Sequence, residues 1–500
     1  MRPLTLLPLL GLTLSLALAP CRAELLDGQA WLTHVRQDLA PFWYQAADGI
    51  TDGAFPSFLC NDASRPDPKA LLAEPKPASL CPELANPPDW IAEGLPYQWT
   101  RMVSRQSFAY AMLFHLTGDP KALALARQGV DFLRTRALLP HDPQQRGRDG
   151  AITRFQAGQA ADSPADRTSQ DLAYIGLGLA AWYYVSGDAG ALADLQRLQD
   201  HLFTAYLDQA HQRLTWFPAS RTQDQQVELV AQLDQLNAYL VLLAPWLQGQ
   251  QQALWHQRMT WLAQSLVRDF YAPAEGRFYG YLHDDSGKLP SARHADFGHS
   301  SKSFWMLYLT GRQLGDTLLT KLAEGGLYSL LARAYREDQL KNLPVPLPAG
   351  ADGSQQVGWW GDRDGENGSA WWEYAELDQA AATLGLENAN PRRYLYRTWP
   401  SWFATFVDHQ NGEVWGWIND AGSLKVHLWK NGYHSLEHAL IGYLTAQAFQ
   451  AKPVTLYFAR PLTVGEEVPV YYYRAKVLAC QSASQQDGIW QVTLSAPQLP

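Results

Sequence analysis

From about residue 29 to residue 450, apolar residues recur at i, i+3, i+4 and i+7 between Gly, Pro and Asp, which is the spacing of a helix with one buried face. The pattern predicts helices over 27–45, 98–117, 120–137, 168–187, 189–206, 228–247, 250–269, 299–314, 316–337, 370–385, 390–407 and 432–450. A dozen such helices pair into six hairpins. Six hairpins close as an all-α (α/α)6 toroid, a six-hairpin barrel whose inner ring leaves a cup at one end. An open helical solenoid has the same periodicity, but a second repeat favours closure. The segments 48–55 (Asp-Gly-Ile-Thr-Asp-Gly-Ala-Phe), 274–278 (Ala-Glu-Gly-Arg-Phe) and 408–415 (Asp-His-Gln-Asn-Gly-Glu-Val-Trp) each read as polar turn, Gly, then aromatic. The last two are followed by further turns at Asp284-Asp285-Ser286-Gly287 and Asn419-Asp420-Ala421-Gly422. All three predict short β-hairpins between helices, on one loop-built face where a site belongs.

The pattern changes at both ends. Val454 to Phe458, Val468 to Tyr473 and Ile489 to Leu494 are β-branched and aromatic runs, so 453–500 is expected to form a small C-terminal β appendage on a toroid spanning 24–452. Met1-Arg2 and the apolar run from Leu4 to Ala19 have the form of a secretory signal peptide, too short to span a bilayer. Pro20 blocks cleavage after Ala19 and also disfavours a lipid anchor on Cys21, so cleavage is expected after Ala23. The expected location is periplasmic or secreted, with no membrane span later in the chain. In an oxidising compartment Cys60 and Cys81, flanking a Pro- and Asp-rich loop, are the expected disulfide, leaving Cys480 as a thiol.

Composition narrows the partners. The 500 residues are 47% hydrophobic and 18% charged, enough apolar material for a large core. With Lys+Arg 40 against Asp+Glu 49 the net charge is −9, which argues against nucleic acid. Trp 20, Tyr 23 and Phe 17 suit either a helical core or stacking on sugar rings, so a carbohydrate is the expected partner. No Gly-rich phosphate-cradling pattern occurs, and neither a cofactor nor a metal is implied.

Two histidines stand where loops run into helices: His299 in Asp296-Phe297-Gly298-His299, and His434 in Trp429-Lys430-Asn431-Gly432-Tyr433-His434. Either alone reads as a structural histidine. Together, two imidazoles facing one carbon from opposite sides can remove a proton and return it inverted.

From about Phe42 to Tyr443 the chain resembles the N-acylglucosamine 2-epimerase and cellobiose 2-epimerase superfamily, which includes aldose–ketose isomerases of mannose-type sugars. Pro41-Phe42-Trp43 resembles the family's opening, Arg105 ahead of Thr117-Gly118-Asp119 its sugar-contacting arginine, Gly298-His299 with Trp305 its first catalytic-histidine motif, Trp371-Trp372 with Glu376 its WWxxxE motif, and Lys430 to His434 its second histidine motif. The resemblance implies that His299 and His434 are the acid/base pair, that Arg105 holds sugar oxygens, and that Trp372 and Trp429 flank the ring. The chain departs from the family at several places. Lys302 stands where a Glu is usual, Glu437 where an Arg is frequent, Asp234 in place of a His and Asn237 in place of a Glu. Lys302 and Glu437 are expected to form a charge-reversed pair, with Lys302 disfavouring a protonated His299; a lysine in the cup is also a candidate anchor for an acidic sugar such as a uronate.

Three other readings remain. His434-Ser435-Leu436-Glu437-His438 also spells H-x-x-E-H, a zinc-peptidase pattern, though only a β-rich tail follows it and His438 is expected to be structural. A glycoside hydrolase or lyase on the same toroid would draw a carboxylate pair from Asp171, Asp234, Asp296 or Glu376. A non-catalytic glycan-binding protein would have kept the cup and lost the reaction.

Overall fold

Where the apolar period places helices, the structure has them. It is a computed structural model, and the described residues are 25–220, 227–282, 290–291, 295–336, 358–362, 368–418, 420, 422–484 and 488–500. The expected leader 1–23, the turn Asp284-Asp285-Ser286-Gly287, and Asn419 and Ala421 lie outside them.

Among the described residues the long helices are α1 (28–46), α2 (Thr100–Thr117), α3 (120–137), α4 (Ser169–Ser186), α5 (Ala189–Ala205), α6 (229–243), α7 (Gly249–Asp269), α8 (Phe297–Leu314), α9 (Thr317–Ala334), α10 (Trp371–Leu384), α11 (Ala389–Thr405) and α12 (Gly432–Phe449). The start of α8 lies two residues before the expected 299 because the Asp296 side chain caps the backbone N–H of His299. The even-numbered helices pack one against the next, and α12 packs back on α2, closing an inner ring; each odd-numbered helix covers it from outside. Burial follows: α2 is buried from Thr100 to Leu116, whereas outer α9 buries only Ala323, Leu327, Leu330, Leu331 and Ala334. This is the (α/α)6 toroid.

Three inner helices end alike. Gly118, Gly187 and Gly315 take left-handed backbone angles that stop α2, α4 and α8, and Asp119, Asp188 and Asp316 cap the next helix. These turns mark the far end of the ring, opposite the inner helices' N-termini.

Loops between outer and inner helices build the mouth. A two-stranded hairpin pairs Tyr271–Ala272 with Arg277–Phe278, and a single bridge joins Val407 to Val414, as the Gly-aromatic motif predicts. Segment 48–55 forms no hairpin, because Gly53 abuts the backbone of α3, where a Cβ would lie 2.0 Å from the Gln128 carbonyl oxygen. An unpredicted hairpin pairs Leu207–Asp208 with Arg213–Leu214; Gln212, with φ +56, occupies the left-handed position that Gly276 holds in the 271–278 hairpin. Residues 56–99 form an insert stapled by the Cys60–Cys81 disulfide. Its own small core of Phe58, Leu71, Leu84 and Ile91 packs on Leu428, beside Trp429.

The C-terminal appendage is a four-stranded antiparallel sheet of β1 (Val454–Phe458), β2 (Glu467–Val470), β3 (Tyr473–Ser484) and β4 (Ile489–Leu494), in the order β1-β4-β3-β2. It covers the far end of the ring. The Ala459 N–H donates to the Val185 carbonyl (2.9 Å), and the Tyr457 ring lies against Gly118. The two-residue tip between β2 and β3, Tyr471-Tyr472, enters the ring, while Cys480 is a half-buried free thiol. No helix among the described residues is long and apolar enough to cross a membrane.

Gly412, at φ +82, has its Cα where a Cβ would lie 2.4 Å from the Asp38 carbonyl oxygen of α1. Gly412→Ala is expected to lower unfolding stability by about 2 kcal/mol or more, against about 1 kcal/mol for removing the Asp316 cap with Asp316→Ala. Urea titration of both variants checks the order; an equal loss would mean that the 408–415 loop yields to the methyl group.

Candidate active site

The first turns of the inner helices carry the candidate chemistry. His299 and His434 are each the third residue of a helix, α8 and α12, so both imidazoles sit at the mouth end of the ring. The Asp296 carboxylate, already the cap of α8, lies 2.7 Å from His299 Nδ1. In that arrangement Nδ1 carries the proton and donates to Asp296, leaving Nε2 as the basic nitrogen. The Trp372 indole lies between the two histidines, its ring centre 4.5 Å from His299 and 6.3 Å from His434. Trp371 forms the other wall of His434, at 6.1 Å.

Under His434 lies a cluster of buried charges. Glu376 is fully buried, with its Oε1 3.5 Å from His434 Nδ1 and 3.1 Å from Lys302 Nζ. Burial lowers the His434 pKa to about 3 and the Lys302 charge lowers it too, with Glu376 opposing, so the imidazole is neutral at physiological pH. Burial works against the Lys302 ammonium, but Glu376, Tyr174, Asp234 and Glu437 around it raise its pKa above the ordinary value. Burial likewise penalises the Glu376 carboxylate, and Lys302 and His434 outweigh it, holding this acid ionised.

Lys302 therefore pairs with Glu376, and the expected Lys302–Glu437 ion pair does not form: Glu437 accepts from the Tyr471 hydroxyl and is hydrogen-bonded by Tyr433 as well. The charge of Lys302 is felt at His434, where His299 was expected to feel it. Only 3% exposed and already matched, Lys302 does not reach an acidic sugar, so the uronate expectation loses its carrier. One ligand atom each from Glu376, His434 and Glu437 lies within 4.8 Å of the others, a spacing that suits a cation, and the Lys302 ammonium supplies positive charge at that point. The H-x-x-E-H pattern does not converge: His438 Nε2 lies 3.1 Å from Asp378 Oδ2, and its ring packs on Trp31 and Trp402.

Arg105, in the second turn of α2, stacks its guanidinium 3.8 Å over the Tyr174 ring and donates to the Trp429 carbonyl, while its buried Nε has no protein partner. Tyr174 in turn donates to Asp234 (3.2 Å), which also accepts from Gln170 (2.8 Å), so Asp234 supports the platform under Arg105. Asn237 donates to the Tyr433 hydroxyl (2.7 Å). Trp429 offers a sugar one face at most, because the Arg101 guanidinium stacks 3.5 Å over its ring. Lys430 is fully buried, 3.6 Å from Glu413, and its ammonium donates to the Lys425 carbonyl; it braces the loop behind Trp371. Arg101, Tyr174 and Tyr471 were not singled out from the sequence. Arg101 lies one helical turn before Arg105, the one signal that pointed to it.

The carboxylates available to a hydrolase are each engaged. Asp171 pairs with Arg101, Asp234 accepts two hydrogen bonds, Asp296 holds His299, and Glu376 faces Lys302.

No protein-family model matches this chain, and no curated protein matches it. Solved structures do. The cellobiose 2-epimerase of Spirochaeta thermophila superposes with a TM-score of 0.63 at 18% identity, covering 85% of this chain and 97% of that one. A D-mannose isomerase gives 0.62 at 15%, covering 83% and 97%. The shared fold is the (α/α)6 toroid. It extends to a family 76 glycoside hydrolase from a bovine Bacteroides thetaiotaomicron strain, with a TM-score of 0.55 at 11% identity, covering 82% and 77%. The family resemblance read from the motifs thus meets the same group of sugar epimerases and isomerases among the structural neighbours.

Removing one partner of the buried pair strands the other. Lys302→Met is expected to cost about 3–5 kcal/mol of stability, and Lys302→Met with Glu376→Leu to regain most of it. Chemical denaturation of the single and double variants checks this; equal losses in both would mean that the two charges do not depend on each other.

Proposed function

We propose that the protein is a carbohydrate isomerase or 2-epimerase that acts, after export and removal of 1–23, on a reducing sugar or the reducing end of a glycan. The observation that supports this best is the pair of histidines at equivalent positions of α8 and α12, on either side of Trp372, one oriented by Asp296 and the other kept neutral over Glu376.

The chemistry follows from those roles. The neutral His434 takes the proton from C2 of the open-chain aldehyde, and the imidazolium so formed faces the Glu376 carboxylate. The electron pair moves onto the carbonyl oxygen, giving an enediolate whose charge is met by Arg105, the cation with an unspent buried N–H. A protonated His299 returns a proton to C2 from the opposite face and gives the epimer; return to C1 gives the ketose. Starting from the other epimer, the histidines exchange roles. Carbon is not oxidised overall, so the chemistry calls for no redox cofactor.

A neighbouring mannanase was made inactive by replacing two adjacent aspartates with asparagine. The adjacent pair in this sequence is Asp284-Asp285, outside the described residues. This separates the two enzyme readings experimentally. With mannose-type and glucose-type aldoses and short oligosaccharides in D2O, the C2 proton signal is expected to disappear from NMR spectra. The rate should fall about 100-fold or more in His299→Ala and in His434→Ala and stay unchanged when Asp284 and Asp285 become asparagine. New reducing ends without exchange, lost with the two aspartates, would replace this reading with a hydrolase; binding without either reaction would leave a glycan-binding protein.

A further inference from the structure

The C-terminal sheet supplies a residue to the charge cluster beneath His434. Tyr471 sits at the tip of the β2–β3 hairpin with φ +54, a left-handed conformation that a bulky aromatic side chain rarely adopts. Its neighbours hold it there. The Tyr471 N–H donates to the Tyr184 hydroxyl of α4 (2.9 Å), the Tyr472 hydroxyl donates to the Asn237 carbonyl of α6 (3.1 Å), and the Tyr473 hydroxyl lies 2.9 Å from Thr383 Oγ1 of α10. With the tip fixed to three inner helices, the Tyr471 hydroxyl reaches Glu437 of α12 and donates to its Oε1.

Two buried carboxyl groups, Glu376 and Glu437, share the neighbourhood of one lysine. Lys302 is bonded to Glu376, so ionising Glu437 would place a second negative charge in a dry cluster holding one cation. We infer that Tyr471 is a positioning residue of the candidate active site: by anchoring Glu437 on the floor of the ring, it keeps that carboxyl from competing with Glu376 for Lys302, and so preserves the Glu376 carboxylate that faces His434. The inference rests on the proposed acid/base role of His434 for its effect on turnover, but not for its effect on Glu437.

The groups facing Glu437 are Lys302 from α8, Glu376 from α10, Tyr433 and His434 on α12 itself, and Tyr471, Tyr472 and Tyr473 from the hairpin; Tyr174 and Asp234 act on Lys302, and Arg105 on His434. Burial first and the Glu376 charge second raise the Glu437 pKa to about 8, with Lys302 and the hydrogen bonds from Tyr471 and Tyr433 opposing. A carboxyl raised on folding contributes stability that is complete below its unfolded pKa and is lost as pH rises through the folded one. For Glu437 this window runs from the ordinary carboxyl range to about pH 8.

The test compares the intact protein with Tyr471→Phe, Glu437→Gln and the double variant. Without substrate, the melting temperature of Glu437→Gln relative to wild type is expected to climb from pH 5 to about pH 8 and then level off. In Tyr471→Phe the Glu437 carboxyl is free to turn to Lys302, whose charge lowers its pKa, so the same comparison against the double variant should level off below pH 8. Where the D2O assay shows exchange, Tyr471→Phe should lower kcat about 10-fold, the low end of the 10- to 100-fold cost of losing a supporting partner in metal sites, with KM little changed. In the Glu437→Gln background the same substitution should have no further effect. Identical melting curves and kinetics for Tyr471→Phe and wild type would overturn the inference. Melting curves that shift as described, with no exchange on any sugar, would leave the Tyr471–Glu437 link standing and overturn the proposed function instead. If Tyr471→Phe does not fold, Glu437→Gln against wild type decides: a flat melting-temperature difference would overturn the assignment of Glu437 as a protonated buried acid.

Discussion

Contact between α12 and α2 closes the ring, and much else depends on that closure. An inner helix touched on every side has no solvent-facing stripe on which to place polar residues. Polar groups on these helices must either be answered by groups on neighbouring inner helices or lie in the first turn, at the mouth. Both occur here. His299 and Trp372 lie in first turns at the edge of solvent, while Glu376, Lys302, Glu437 and Asp234 lie deeper and are answered by one another, by tyrosine hydroxyls or by Gln170. A buried charge without such an answer is expensive, so the candidate site and the stability of the ring draw on the same residues.

The departures from the epimerase pattern gain a physical meaning from this arrangement. Placing Lys302 on α8 brings a cation to Glu376 on the next inner helix, and Glu437 on α12 then needs a neutral donor, which comes from outside the ring in the form of Tyr471. The positive charge in the cup is spent on the protein itself, which leaves Arg105 as the cation with a hydrogen-bond donor to spare. The hydrolase neighbours share the toroid, but here Asp296 and Asp171 at the helix starts hold histidine and arginine, and Asp234, deeper on α6, accepts from tyrosine.

The fold was largely legible in the sequence because its signal is local: a 3.6-residue period, Gly-Asp turns and Asp caps act over a few residues. The two histidines were legible for the same reason, each lying just after a loop-to-helix boundary. Partners were harder to read. That Lys302 turns to Glu376 on α10 and away from Glu437 on α12 depends on which neighbouring inner helix its side chain reaches, and sequence spacing carries no such information. The 207–214 hairpin escaped notice because Gln212 takes the backbone conformation for which a glycine is the usual marker. The tip at Tyr471 was visible only as part of a β-like run, with nothing to show that it would enter the ring.

The docking of the sheet has a consequence for biosynthesis. The ring is joined by helices whose sequence positions differ by more than 300, and its far end is occupied by residues from the last tenth of the chain. A nascent protein emerging from the N-terminus can form helical hairpins in order, but the cluster beneath His434 stays incomplete until almost the whole polypeptide is available. Contacts of such long sequence separation form late and slowly, so a chain that stops early, even after α12, presents two histidines over a ring whose far end is uncovered and whose Glu437 lacks the Tyr471 donor.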